Sequence, residues 1–227
     1  MIIEGIAVTM QDVQDLNDFG ADRIELCTDM EQDGLTPSTD LIQEAAAHSN
    51  IPVNVMIRPH GESFCYSRED MEKMRSSIRT VRECGAAGIV LGCLTDSGTI
   101  DEEALAILLD ESGDLDVTFH KAFDAVDDQL AALEILMRYP KIKTLLTSGG
   151  QGASVNNTAT LKELIEIVER HPLTIMPGGG LNTENVSRVM EAPTRDALHF
   201  GTGIREGWSY EGRISKQAVL TIKNQVK

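Results

Sequence analysis

A chain of 227 residues with 36 acidic against 20 basic side chains carries a formal net charge of -16. That is the wrong sign for neutralising many phosphates, so DNA and RNA are excluded as partners and the excess acid reads as a solvated outer face. No apolar run approaches the ~20 residues of a membrane span and the start MIIEGIAVTMQDVQD lacks the features of a secretory signal, which predicts a cytoplasmic protein with no membrane partner.

Eight short β-branched runs open eight successive units. IIEGIAV from Ile2 precedes a stretch in which Met10, Val13, Leu16 and Phe19 recur at helical spacing, and DRIEL from Asp22 opens the second unit. VNVMI from Val53 precedes Met71, Met74, Ile78 and Val81; GIVLG follows from Gly88; DVTFH from Asp116 precedes Leu130, Leu133 and Met137. KTLLT from Lys143 precedes Leu161, Leu164, Ile165 and Val168, and LTIMP from Leu173 and ALHFG from Ala197 open the last two units. Apolar positions three and four apart give helices with one face on a sheet. Strands alternating with such helices must run parallel, because each crossover returns the chain through a helix, and eight units predict closure into a (β/α)8 TIM barrel of the α/β class. In FGADRIEL and CGAAGIVL, Gly20 and Gly85 stand where a helix should stop. No Pro/Gly/Ser linker divides the chain, so residues 1–227 are expected to form a single domain. Its size allows roughly 70–75% of the unfolded surface to be buried without structural metal or disulfides. Cys27, Cys65, Cys84 and Cys93 form no C-x-x-C pair, and reduced thiols are expected.

Side chains alternate across a strand, so in a barrel one parity points inward. Ile24 and Leu26 suit the helix side, which leaves Glu25 and Cys27 inside. By the same rule Asn54, Met56 and Arg58 point inward from VNVMIRP, Thr118 and His120 from VTFH, Leu146 and Ser148 from TLLTS, and Ala197 and His199 from ALHF. Glu25, Arg58, His120, Ser148 and His199 thus gather at the C-terminal strand ends, where this architecture carries its active sites, and Glu4 joins them from the first strand. A convergent set of charged groups is costly to bury unless paired or used.

The late units add a second signal. PGGGLN carries Gly178, Gly179, Gly180 and Asn182, HFGTGI carries Gly201, Thr202 and Gly203, and TSGGQG contributes Gly149. Loops after strands seven and eight of barrels often bind phosphate through backbone N–H groups, so a small anionic ligand is expected there.

Taken together, ELC at Glu25 to Cys27, DGLTPS at Asp33 to Ser38, VMIRP at Val55 to Pro59, FCYS at Phe64 to Ser67, TFHKAFD at Thr118 to Asp124, LTSGG at Leu146 to Gly150 and IMPGGGLN at Ile175 to Asn182 resemble the CutC family in order and spacing. The resemblance spans about Glu25 to His199. It implies a TIM barrel, assembly as a homo-oligomer, and an association with copper homeostasis. Two segments depart from the family pattern: RPHGESF stands where RPRGGDF is usual, with His60 and Ser63 in place of arginine and aspartate, and HKAFD replaces HRAFD, so Lys121 keeps the charge without the planar fork of arginine.

Copper and catalysis are both open at this point. Cu(I) prefers thiolate and thioether ligands, and Cys27 with Met56 is the inward soft pair, near His120 and His199; Arg58 would repel the ion. The same cavity also reads as an acid–base site needing no cofactor. In it Glu25 is the base, His120 an acid or base, Arg58 or Lys121 holds an anion, and Asp124 orients His120 or Lys121. Proton transfer on a small phosphorylated or carboxylated metabolite, in an isomerase or lyase step, would use these groups. A non-catalytic ligand sensor is the third class.

Overall fold

The structure is a computed structural model that describes residues 1–191 and 196–226. Eight parallel strands alternate with helices: β1 (Ile2–Ala7), β2 (Arg23–Leu26), β3 (Val53–Met56), β4 (Gly88–Leu91), β5 (Asp116–Phe119), β6 (Ile142–Thr147), β7 (Thr174–Pro177) and β8 (Ala197–Phe200). The helices are α1 (Met10–Phe19), α2 (Thr39–His48), α3 (Arg68–Cys84), α4 (Glu102–Glu111), α5 (Gln129–Met137), α6 (Thr158–Ile167), the short α7 (Val186–Val189) and α8 (Lys216–Gln225). Local chemistry sets several boundaries. Thr9 and Asp12 form a capping box at the start of α1, as Ser67 and Asp70 do for α3, and the helices end on Gly20 and Gly85 in the left-handed conformation that their sequence positions predict.

Parallel ladders run in the order β7-β6-β5-β4-β3-β2-β1-β8. The expected closure is therefore nearly complete: among the described residues, β7 and β8 share no ladder, and Pro177 at the end of β7 brings no N–H to either neighbour. The two strands still pack closely, since a Cβ on Gly178 would fall 3.0 Å from His199 Cβ and 2.5 Å from Leu146 Cδ1.

Alternation divides the buried side chains into two populations. Ile24, Leu26, Val53, Val55, Val117, Phe119, Leu198 and Phe200 belong to the main apolar core together with helix residues such as Val13, Leu16, Ile78 and Leu164. Inside the barrel lie two small apolar groups, one of Ile6, Cys27, Met56 and Val90, the other of Leu146, Met176 and Ala197. One helix departs from the expected stripe. In α5 the buried residues are Ala132, Leu133 and Leu136, while Leu130 in the first turn borders the solvated loop of Asp127 and Asp128 and stays 43% exposed. Leu133→Ala should therefore cost about 2–5 kcal/mol through the cavity it leaves, against less than about 0.5 kcal/mol for Leu130→Ala. Urea unfolding of the two variants checks the assignment of the buried face.

Candidate functional site

At the C-terminal mouth of the barrel lies a cavity of about 510 Å³. Of the residues expected there, Glu25, Arg58, Met56, His120, Lys121, Asp124, Ser148, His199, Gly179, Gly180, Gly201, Thr202 and Gly203 line it.

At the inner end of the cavity, strand register brings four ionisable groups together. Glu4 stands beside Arg23 across the β1–β2 ladder and beside His199 across the β1–β8 ladder. Its carboxylate accepts from Arg23 Nε at 2.5 Å and from His199 Nδ1 at 2.7 Å. Because the carboxylate accepts on both sides, Nδ1 of His199 carries a proton, and Nε2 is turned toward Glu25, 4.0 Å from Oε1. Glu4 is wholly buried, which alone would raise its pKa; the charges of Arg23 and His199 outweigh that and hold it below the usual carboxylate range. Glu25 is different. Burial, reinforced by the charge of Glu4, pushes it up to about 7, and its Oε2 has no hydrogen-bond partner among the described residues. Burial alone would depress His199, but Glu25 and Glu4 together raise it. Glu25 and His199 therefore compete for a proton, each shifted upward by its surroundings.

His120 follows β5 and caps the helical turn at Lys121–Ala125, its Nδ1 accepting from Ala122 N–H at 3.1 Å. Its proton therefore sits on Nε2, which has no partner among the described residues. Burial, with the nearby Arg58 charge, lowers its pKa to about 3, so the ring is neutral. A Cβ on Gly92 would fall 2.5 Å from His120 Cε1 and Nδ1, so the glycine after β4 makes room for the imidazole. Phe64 covers it at 5.1 Å between ring centroids.

Three expected roles are corrected by the geometry. Arg58 does not offer a free fork to an anion: Nη1 donates to Gln32 O at 2.6 Å and Gly34 O at 3.3 Å, Nη2 to Gly61 O at 3.4 Å, and the guanidinium stacks 4.9 Å from the Phe64 centroid. It ties the loops after β2 and β3 together. Asp124 orients neither His120 nor Lys121; its carboxylate accepts from Thr147 Oγ1, from Ser148 N at 2.8 Å and Oγ at 2.7 Å, and from Gly150 N at 3.2 Å, fixing the loop after β6. Gly149, Gly178 and Asn182 lie behind the cavity wall, the first against Leu161 and Asn157, the second against Leu146 and His199, and the third accepting from Glu184 N and Asn185 N to close a turn. Lys121 is exposed at the rim, and a Cβ on Gly179 would fall 3.3 Å from its Nζ, which sets the ammonium over the left-handed turn at Gly179 (φ 99) and Gly180 (φ 72).

Cys27 is fully buried in the barrel rather than on the cavity wall, with Sγ 3.3 Å from Met30 Sδ. Burial and the charge of Glu25 push its thiol well above the usual range. Cys93 is buried in the outer core, and Cys65 and Cys84 pack partly against it. His60 and Ser63 face away from the cavity: His60 Nε2 lies 3.5 Å from Asp70 Oδ2, and Ser63 Oγ bonds the Cys65 backbone.

The CutC family profile matches residues 1–204. The chain belongs to the CutC family. Relatives of this CutC chain include the copper homeostasis protein cutC homolog of Homo sapiens, 41% identical over 180 residues, which are 79% of this chain and 65% of that one. A family protein CutC of Enterococcus faecalis is 39% identical over 82% of this chain and 90% of its own length. The chain spans a little under two thirds of the human relative's length. The crystal structure of the CutC protein from Streptococcus agalactiae superposes with a TM-score of 0.81 at 30% identity, covering 88% of this CutC chain and 98% of that one. A phosphoribosyl anthranilate isomerase from Thermococcus kodakaraensis shares the fold at a TM-score of 0.66 and 16% identity, covering 100% of this chain and 98% of that one.

Arg23, Met30 and Tyr210 belong to the site although the sequence reading passed over them. Arg23 carried a signal, since it has the inward parity of Glu25. Tyr210 carried none: it enters from the irregular segment after β8, and its hydroxyl fills the space beside Gly201. A pH effect follows from Glu25. Its folded value of about 7 lies above the ordinary 4.5, so the folded state loses stability as pH rises through that window. Glu25→Gln removes this loss, and relative to wild type the variant should gain on the order of 1–3 kcal/mol between about pH 5 and about pH 8. Urea unfolding at both pH values measures it.

Proposed function

We propose that this CutC-family chain serves copper homeostasis, the role for which its mammalian relatives are named, as a cytoplasmic barrel enzyme that performs acid–base chemistry on a small phosphorylated or carboxylated metabolite. The observation that carries the reading is Glu25: a buried carboxyl beside His199, with one oxygen unpartnered and a pKa near 7, on the wall of a cavity of about 510 Å³. A base works best when its pKa lies near the working pH, and burial has tuned this one there. His199, steadied by Glu4, keeps the proton available, and Lys121 beside the Gly179 turn supplies positive charge at the rim for an anionic group. No resident cofactor is required for proton transfer between carbon and carboxylate. Four cysteines without a disulfide among the described residues are in keeping with a reducing compartment, and among those residues no helix is long and apolar enough to cross a membrane.

Incubating metal-free protein in D2O with a panel of phosphorylated and carboxylated metabolites tests the reading. Deuterium should enter a carbon position of at least one of them, read by mass spectrometry, and Glu25→Gln should slow the exchange about 10²–10⁴-fold. Exchange at the same rate in the variant, or in no metabolite at all, overturns it.

A second reading rests on the sulfur pair. Cys27 Sγ and Met30 Sδ lie 3.3 Å apart, and Met56 packs in the same interior group. These soft donors suit Cu(I) as cargo, while the neighbouring Glu4, Glu25 and His199 set is harder. Burial of the Cys27 thiol opposes it, because the thiol must lose its proton to bind the ion. Titration of reduced protein with Cu(I) against a competing chelator should give weakened binding for Cys27→Ser and unchanged binding for Cys65→Ser, Cys84→Ser and Cys93→Ser. Loss confined to Cys65→Ser, or no loss in any variant, rules out the interior site.

A further inference from the structure

Three buried side-chain polar atoms of the cavity residues lack a partner among the described residues: Arg58 Nε, Glu25 Oε2 and His120 Nε2. Glu25 Oε2 is an acceptor, and the character of His120 Nε2 is fixed by the other nitrogen of its ring. Nδ1 already accepts from Ala122 N–H at 3.1 Å, so the neutral ring has its proton on Nε2 and can only donate there. Ring position is equally constrained, by Gly92 on the Nδ1 edge, by Phe64 at 5.1 Å and by Phe119 at 6.1 Å. Both residues line one cavity. A buried N–H without a partner is costly, and a ligand that supplies an acceptor removes the cost.

Resting on the acid–base reading above, we infer that His120 is the electrophile of this site: its Nε2–H binds the carbonyl oxygen of the substrate, which is an enolisable aldehyde, ketone or oxo acid that also bears a phosphate or carboxylate. The complement of one fixed donor and one free carboxylate oxygen in a single cavity is a molecule with an acceptor oxygen and, one carbon away, a proton to give. In the step, the Glu25 carboxylate takes the proton from the carbon next to the carbonyl. The C–H electron pair becomes the C=C bond, and the carbonyl π pair moves onto oxygen. The resulting enolate oxygen stays bound to the His120 N–H, and the Glu25 carboxyl returns the proton to the same carbon as the C=C pair takes it up and the oxygen pair re-forms the carbonyl, so atoms and electrons balance with no oxidant or metal ion consumed. A ring held neutral by burial and by Arg58 does not act as an imidazolium acid; it polarises a carbonyl by hydrogen bonding, as depressed imidazoles can. Arg58, fixed to three backbone carbonyls behind it, contributes charge toward the same oxygen without moving.

Two measurements on the full chain test this. In protein labelled with 15N-histidine, the His120 resonances should report a bare Nδ1 and a protonated Nε2 unchanged from about pH 5 to about pH 8. An imidazolium, or the opposite tautomer, in that range overturns the inference even if no variant folds. Calorimetry then compares phosphoglycolohydroxamate, which imitates a phosphorylated enediolate, with glycerol 3-phosphate, which has an alcohol in place of the carbonyl. The hydroxamate should bind about tenfold tighter or more, and His120→Phe should erase that preference while glycerol 3-phosphate affinity stays within about twofold. Equal affinity of the two ligands, or a preference that survives His120→Phe, sinks the role of His120 and leaves the Glu25–His199 reading standing. Binding of neither overturns the inference for phosphorylated carbonyls together with the phosphate-binding part of the proposed function.

Discussion

A carboxylate sealed inside the barrel, Glu4, is the constraint around which the site is organised. Its burial would be prohibitive alone, and the two strands that flank β1 each supply a compensating donor, the Arg23 guanidinium from β2 and the His199 Nδ1–H from β8. The pairing does more than neutralise. It fixes the orientation and proton of His199, which in turn faces Glu25, and the residual negative charge of Glu4 helps to hold Glu25 near neutrality. A buried ion pair is a poor source of stability compared with apolar packing, so the arrangement makes sense as a means of setting proton affinity on the layer above.

The mouth of the barrel divides its tasks between rigid strand ends and loops braced by polar side chains. Glu25 and His199 lie within strands, His120 one residue beyond β5. The loops are braced from behind by residues that look catalytic in type: Arg58 joins the loops after β2 and β3, and Asp124 gathers the loop after β6 onto four donors. Carboxylates and guanidinium groups near a cavity are thus not interchangeable candidates. What distinguishes them is whether their polar atoms are already satisfied by the chain, and among the described residues the buried side-chain polar atoms of the cavity left without partners are Glu25 Oε2, His120 Nε2 and Arg58 Nε.

Much of this was legible in the sequence because strand alternation is a strict rule. Period-two reading placed Glu25, Met56, Arg58, His120 and His199 on one side of the sheet and Ile24, Val55 and Phe119 on the other, and each lies there. Reach was not legible. Arg58 and Asp124 have the right parity or neighbourhood, yet most of their partners are backbone groups and hydroxyls of other segments, 23 to 26 residues away in the chain, which no local pattern encodes. Glycine composition does not distinguish roles either: Gly178 and Gly203 are small to let neighbouring segments touch, the latter with a Cβ position only 1.8 Å from Leu181 O, whereas Gly179 and Gly180 form a left-handed turn. Leu130 failed because the apolar spacing continued one turn past the end of the buried face.

Gly92 has a consequence beyond its own position. Since even a methyl group there would overlap the imidazole of His120, neither residue can be exchanged independently without disturbing the other: alanine at 92 displaces the ring, and a smaller residue at 120 leaves a hole against the glycine. In packing terms the two positions form a single unit, and the space that holds the imidazole is made as much by the absent side chain at 92 as by the residue at 120.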